Sequence, residues 1–283
     1  LEGISLTVDD KLRIAEQLDR LGVHYIEGGW PGANPKDVEF FERAKVELDL
    51  QRSKLVAFGS TRRVGGDASA DPTLANLLEA GTDMVCIVGK ASAYHVTEAL
   101  RTTLEEGVAM VSDSVRYLKA EGRTVFFDAE HFFDGYRDDP EFSLHVLQGA
   151  AAAGADCLVL CDTNGGSLPG QVESTVREVV SFVDCPVGVH LHNDTGCGVA
   201  NALAGVTAGA TQVQGTINGY GERVGNCDLV PIIANLTLKM GIETISEGRL
   251  AELTPVAHHI AELVNFSADP QQPYVGSTAF AHK

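Results

Sequence analysis

The sequence predicts an α/β fold, a (β/α)8 TIM barrel whose first strand is missing from this chain. Three observations predict it. Seven short apolar runs alternate with amphipathic stretches along the 283 residues. A glycine junction repeats where alternate amphipathic stretches end. Polar residues collect just after the apolar runs, where a barrel would have one mouth.

A helix comes first. Ile14, Ala15, Leu18 and Leu21 recur at helical spacing, Thr7 and Asp10 form a capping-box pattern with Asp in place of Glu, and Gly22 suits the C-terminal cap. The apolar runs are HYIEGGW (24–30), KLVAFGS (54–60), MVCIVGK (84–90), TVFFDAE (124–130), CLVLCDT (157–163), VGVHLHND (187–194) and QVQGTING (212–219). Each is short and rich in β-branched or aromatic residues, as buried parallel strands are. Further helical patterns lie near 36–47, 73–80, 94–119, 140–153, 168–182, 198–208 and 228–239.

The junctions LGVHYI (21–26), AGTDMV (80–85), AGADCLV (153–159) and AGATQV (208–213) each put a glycine at a helix end, just ahead of a strand. A doubly wound sheet is the runner-up. It needs a strand–GxGxxG–helix unit, and GYGERVG has the wrong glycine spacing. The reading divides the chain into a barrel over 1–240 and, over 241–283, a C-terminal helix with the start of a linker or subdomain.

The formal net charge is −18. That argues against nucleic acid and anionic membrane partners, which need a basic surface. It leaves room for a small anionic substrate, since a local metal or arginine can reverse the field inside a cleft. No apolar run approaches the ~20 residues of a membrane span, and no signal peptide is visible. The six cysteines show no CxxC spacing, and several sit in apolar runs such as CLVLC. They read as reduced thiols, which suits a cytoplasmic protein.

Barrel active sites lie at the C-terminal strand ends. There the sequence puts Glu27, then Ser60 to Arg63, Lys90, Asp128 with Glu130 and His131, and Asp162 with Thr163 and Asn164. His190, His192, Asn193 and Asp194 follow, then Asn218, Glu222, Arg223 and Asn226. His190 and His192 are two apart on a strand, so both side chains point to one side. At a barrel mouth two imidazoles can share one metal ion, with Asn193 and Asp194 holding the rings from behind. The alternative is a pair of hydrogen-bonded structural histidines. Asn226 is a candidate third ligand through its oxygen. Mixed imidazole and oxygen donors suit Mg2+, Mn2+ or Zn2+. Glu130, flanked by aromatics in FFDAEHFF, reads as a partly buried carboxylate. Lys90, Arg62 and Arg63 are cations for phosphate or carboxylate groups, or simply solvated.

The segment GVHLHNDTGCGVANALAGVTAGATQVQGTINGYGERVGNCDL resembles the acyl-CoA-condensing metal-dependent barrels: the isopropylmalate, homocitrate and citramalate synthases and their cousin hydroxymethylglutaryl-CoA (HMG-CoA) lyase. VGKASAYHVTEALRTTLEE, FFDAEHFFDGYRDDPEF, LVLCDTNGG and GTINGYGERVGN resemble the citramalate synthase branch most. The resemblance covers essentially the whole chain. It implies a divalent metal held by His190, His192 and Asn226, and a 2-oxo acid contacted by Glu130 and Thr163. Glu222 would lie near the reacting centre, with acetyl-CoA as cosubstrate. Apart from the resemblance, Arg63 of the cation pair after the second run is read as a further substrate-binding residue. For citramalate the oxo acid is pyruvate. A homodimer is expected.

The resemblance also places a D-x-T-L-R-D-G strand ahead of residue 1, carrying a metal-binding Asp and a catalytic Arg, and a catalytic histidine beyond Lys283. The chain is therefore expected to be part of a longer protein and, alone, to turn over little. Competing expectations are an isopropylmalate or homocitrate synthase, an HMG-CoA-lyase-like C–C lyase, and an inactive metal- or ligand-binding piece.

Overall fold

The computed structural model describes residues 3–246 and 248–281. Glu247, in the tail helical pattern, and the terminal His282 and Lys283 lie outside the described residues. Seven parallel strands form one sheet in chain order. They are β1 (Tyr25–Glu27), β2 (Lys54–Ser60), β3 (Met84–Lys90), β4 (Thr124–Glu130), β5 (Cys157–Asp162), β6 (Val187–Leu191) and β7 (Gln212–Gln214). Every expected strand is present. β7 is shorter than its apolar run because the chain leaves the sheet at Gly215, where a Cβ would sit 2.6 Å from the Cys227 carbonyl oxygen.

The alternation of each strand builds two layers. Outward residues such as Val85, Ile87, Phe127, Leu158, Leu160, Val189 and Leu191 pack under the helices. Inward residues Val56, Met84, Cys86, Phe126, Cys157 and Val159 form a separate cluster inside the curl of the sheet. Each large side chain fully buried here contributes about 1.5–3 kcal/mol.

The helices are α1 (Val8–Leu21), α2 (Pro35–Glu47), α3 (Pro72–Glu79), α4 (Leu104–Ala120), α5 (Phe132–Asp138), α6 (Pro140–Ala152), α7 (Pro169–Phe182), α8 (Gly198–Thr207), α9 (Leu229–Leu238) and α10 (Leu253–Leu263). The capping box of α1 forms: Asp10 N–H donates to Thr7 Oγ1 at 3.1 Å, and Thr7 N–H donates to Asp10 Oδ2 at 2.9 Å. The junction glycines Gly22, Gly81, Gly154 and Gly209 all take left-handed backbone, with φ of 96°, 74°, 100° and 113°.

Two helical expectations change. The pattern over 94–119 is two pieces, a π turn (His95–Ala99) and then α4. Arg101 at φ 54° breaks the run, and the Thr103 side chain caps α4 by accepting from Glu106 N–H. α5 was not expected. Its glycine hid it, yet that glycine makes it dock: a Cβ at Gly135 would lie 2.5 Å from the Ala91 carbonyl oxygen. In the tail, α10 buries Leu253, Val256, Ala257 and Ile260 in a cluster with Leu21 of α1 and Val230, Ile233 and Ala234 of α9.

Candidate active site

The inward polar residues lie at and near the C-terminal strand ends. Cα register sets His190 of β6 directly beside Gln214 of β7, and Lys90 of β3 beside Glu130 of β4. From these pairs the site can be built outward.

The rings of His190 and His192 have centroids 5.2 Å apart. His190 Nε2 faces the Asn226 side-chain amide nitrogen at 3.1 Å, and His192 pairs with Asn226 through an isolated antiparallel bridge. The three sequence-predicted ligands are thus together. Asn226 is delivered by the loop after β7, where tight backbone packing needs glycine. A Cβ on Gly225, at φ 101°, would meet the Gly219 carbonyl oxygen at 2.0 Å.

His192 is buried, and its Nδ1 has no hydrogen-bond partner. Burial, then His190 and Arg223, push its pKa down to about 4, so the ring is neutral at pH 7 and its lone pair is free to bind a cation. An orphaned ring nitrogen, a second imidazole and the Asn226 amide, whose oxygen a half-turn would bring round, are together a donor set that fits a divalent cation.

The expected supports of these rings differ. Asn193 Oδ1 instead accepts from Gly198 N–H at 2.9 Å, capping α8. Asp194 accepts from Arg223 at 2.8 Å. Arg223 in turn donates to the Thr163 carbonyl oxygen at 2.7 Å and holds left-handed backbone at φ 57°. The partner of His190 is Gln214, which sequence reading missed. Its Oε1 lies 2.7 Å from His190 Nδ1, and its Nε2 donates to Asp128 Oδ1 at 2.9 Å. The signal was present in QVQ, which puts two amides on the inward face of a short strand.

Asp128 also accepts from the Cys86 thiol at 3.1 Å. Ligand atoms of Glu27, Cys86 and Asp128 all lie within 4.8 Å of one another. Burial, then the neighbouring Asp128 and Glu27 carboxylates, push the thiol pKa well up. Without a cation the thiol stays a protonated donor, and the trio is joined by hydrogen bonding through Cys86. Burial raises Asp128 to about 6. Burial and then Asp128 raise Glu27 to about 7. Glu27 is exposed to water on the outermost strand of the sheet, so solvent screening reduces that rise.

Glu130 is half-buried and salt-bridged to Lys90, as its aromatic flanks suggested. Thr163 Oγ1 accepts from His131 N–H at 2.8 Å. The His131 ring stacks on His95 with centroids 3.7 Å apart and planes 7° apart. Glu222 is exposed, with a side chain 75% accessible. The two arginines separate: Arg62 is buried and paired with Glu106 and Asp113, while Arg63 is exposed and held through its backbone N–H by Asp71.

The family model described as HMGL-like matches residues 1–259. The chain is 56% identical over 282 residues to (R)-citramalate synthase of Streptomyces coelicolor, covering 100% of this chain and 53% of that protein. It is 52% identical over 284 residues to (R)-citramalate synthase of Aquifex aeolicus, covering 100% and 54%. It is 37% identical over 282 residues to a probable 2-isopropylmalate synthase of Methanopyrus kandleri, covering 99% and 53%. The chain thus spans about half the length of these relatives. Among solved structures, the HMG-CoA lyase of Bacillus subtilis superposes with a TM-score of 0.76 at 21% identity, covering 93% of this chain and 89% of that one. That likeness shows the fold alone, an α/β sheet curled as in the lyase barrels. On the family match and the extent of these likenesses, the chain belongs to the HMGL-like family.

Proposed function

We propose that this chain is the catalytic barrel of a citramalate synthase, an acyltransferase that condenses acetyl-CoA with pyruvate to (R)-citramalate, a precursor step towards isoleucine. The 56% identity to a citramalate synthase over the whole chain carries the reading, against 37% to an isopropylmalate synthase. The barrel over 1–240, with 241–283 as a C-terminal helix leading into a linker or subdomain, belongs to the same proposal.

His190, His192 and Asn226 would hold a divalent cation, Mg2+, Mn2+ or Zn2+, which when bound polarises the keto carbonyl of the oxo acid. The chain's own residues do the rest of the binding. Thr163 Oγ1 already accepts from His131 N–H, so its own hydrogen is free to donate to the oxo-acid carboxylate. Glu130, balanced by Lys90, borders the same space. Glu222 and Arg63 are exposed after β7 and β2, on the face where the longer CoA ester would arrive.

A base takes a proton from the acetyl methyl, the resulting enolate carbon bonds to the keto carbon as the carbonyl electron pair moves onto its oxygen, and that alkoxide takes up a proton. Water then cleaves the thioester C–S bond, leaving a carboxylate and releasing CoA. The His192 ring, held neutral by burial, adds no charge of its own beside the developing alkoxide, which the cation would stabilise.

The substrates are small molecules, with no role for nucleic acid or a membrane. The net charge of −18 supports this, and among the described residues no helix is long and apolar enough to cross a membrane. All six cysteines are unbridged, which supports a cytoplasmic site. The homodimer follows the family resemblance.

The test follows CoA thiol release with Mg2+ or Mn2+, acetyl-CoA and one of pyruvate, 2-oxobutyrate, 2-oxoisovalerate or 2-oxoglutarate. It is run on this chain and on a longer form spanning the relatives' full length. Release with pyruvate is the expected result. Release only with a larger oxo acid moves the protein to a sister synthase, and none from the longer form with any acid sinks the proposal.

A further inference from the structure

We propose that Gln214 is a positioning residue that fixes the ring and tautomer of His190, and that Asp128 fixes Gln214 in turn. This rests on the reading of His190, His192 and Asn226 as a cation site.

A glutamine amide has two unlike ends, and here each end has a partner that decides its orientation. Asp128 Oδ1 is an acceptor already engaged by the Cys86 thiol at 3.1 Å, and it takes a second hydrogen from Gln214 Nε2 at 2.9 Å. The NH2 end of Gln214 must therefore face Asp128. Its Oε1 is left facing His190 Nδ1 at 2.7 Å. An amide oxygen can only accept, so the imidazole proton sits on Nδ1. In a neutral imidazole the other nitrogen then carries the lone pair. That nitrogen, Nε2, is the one turned towards Asn226 at 3.1 Å. A half-turn of the Asn226 amide exchanges its nitrogen for Oδ1, leaving two lone-pair donors side by side.

With the opposite Gln214 orientation, the NH2 end would meet Nδ1–H head-on. The proton would move to Nε2 and block the cation. The register holds the two side chains together, because Gln214 and His190 are direct neighbours on adjacent strands, and the bond to Asp128 excludes that orientation. Asp128 comes from β4, across the interior of the curled sheet. Partners standing behind metal-binding histidines typically change metal affinity by about 10–100-fold when removed.

The test uses the full chain and the variants Gln214→Leu, Gln214→Glu and Asp128→Asn. The 15N shifts of the histidine rings, recorded without metal, report the tautomer. Titration with Mn2+ or Zn2+ against a competing chelator reports affinity, and circular dichroism checks the fold. The parent should show His190 protonated at Nδ1. Gln214→Leu should lose that preference and bind about 10–100-fold more weakly. Gln214→Glu still accepts from Nδ1–H, so it should keep the tautomer and recover much of the affinity. Asp128→Asn frees the Gln214 amide to turn and should weaken binding less than Gln214→Leu. An Nε2–H tautomer in the parent overturns the proposal. So does a folded Gln214→Leu variant with unchanged tautomer and affinity. A parent that binds neither ion overturns the cation reading itself, which separates the two failures.

Discussion

His131 and Thr163 are tied across the ends of β4 and β5 by one hydrogen bond, backbone N–H to Oγ1 at 2.8 Å. His131 can make it because its backbone is left-handed, at φ 58°, with its ring stacked on His95. The bond uses the acceptor side of the hydroxyl and leaves the hydrogen for a substrate. Thr163→Val should therefore raise KM for the oxo acid by about 10–100-fold, the worth of one hydrogen bond to a charged group. Thr163→Ser should stay within a few-fold of the parent. Equal KM values for Val and Ser would remove Thr163 from the binding site.

Lys90 and Glu130 are in register and both about three-quarters shielded, at 24% and 25% accessible. A pair like this lies between an exposed and a buried ion pair, so a coupling of about 1 kcal/mol is expected. A double-mutant cycle on Lys90→Met and Glu130→Gln, read by denaturant unfolding, measures it. Coupling near zero would leave Glu130 held by something other than the lysine.

The pH dependence of stability carries opposite signs in neighbouring groups. His192 has its pKa depressed to about 4 by burial first and then by His190, against ~6.5 for an ordinary imidazole. Between those values the unfolded chain binds more protons, so this contribution is lost as pH falls through the window. At most it amounts to about 3 kcal/mol. Asp128 and Glu27 are raised, so their contribution is present at low pH and lost as pH rises through about 6 to 7. A bare stability profile mixes the two. Comparing the parent with His192→Asn in metal-free buffer from pH 7.5 to 4.5 separates them. The parent should lose about 2 kcal/mol more over that range than the variant; parallel profiles would contradict the assigned shift.

Gly225 is the hinge of the loop that brings Asn226 in. Alanine there would be strained twice, by φ 101° and by a Cβ 2.0 Å from the Gly219 carbonyl oxygen. Gly225→Ala should cost about 3 kcal/mol or more and weaken Mn2+ binding at least tenfold. Gly170→Ala is the control: its Cβ meets nothing within 4 Å, and alanine suits its place in the first turn of α7. A Gly225→Ala protein with the parent's midpoint and metal affinity would mean the loop is not the ligand carrier.

Local patterns made much of this site readable. His190 and His192 share a face because strand side chains alternate, and Asn226 follows a glycine-rich loop whose spacing is visible in sequence. What escaped depends on long-range contact. Gln214 and Asp128 are 86 residues apart, so QVQ could suggest an inward amide but not its partner. Arg62 and Arg63 look alike in sequence, and only Glu106 and Asp113, brought by α4, decide which is buried. The α5 helix depends on Gly135 meeting the Ala91 backbone, a fit no helix pattern encodes.

The most direct measurement of the central claim is formation of the carbon–carbon bond itself. The longer form spanning the relatives' length would be incubated with Mg2+ or Mn2+, acetyl-CoA labelled with 13C in the acetyl methyl, and pyruvate labelled at its keto carbon. One-bond 13C–13C coupling in the product, matching (R)-citramalate and requiring the metal, is the predicted result. CoA released without that coupling would make the protein a thioesterase-like hydrolase and contradict the account.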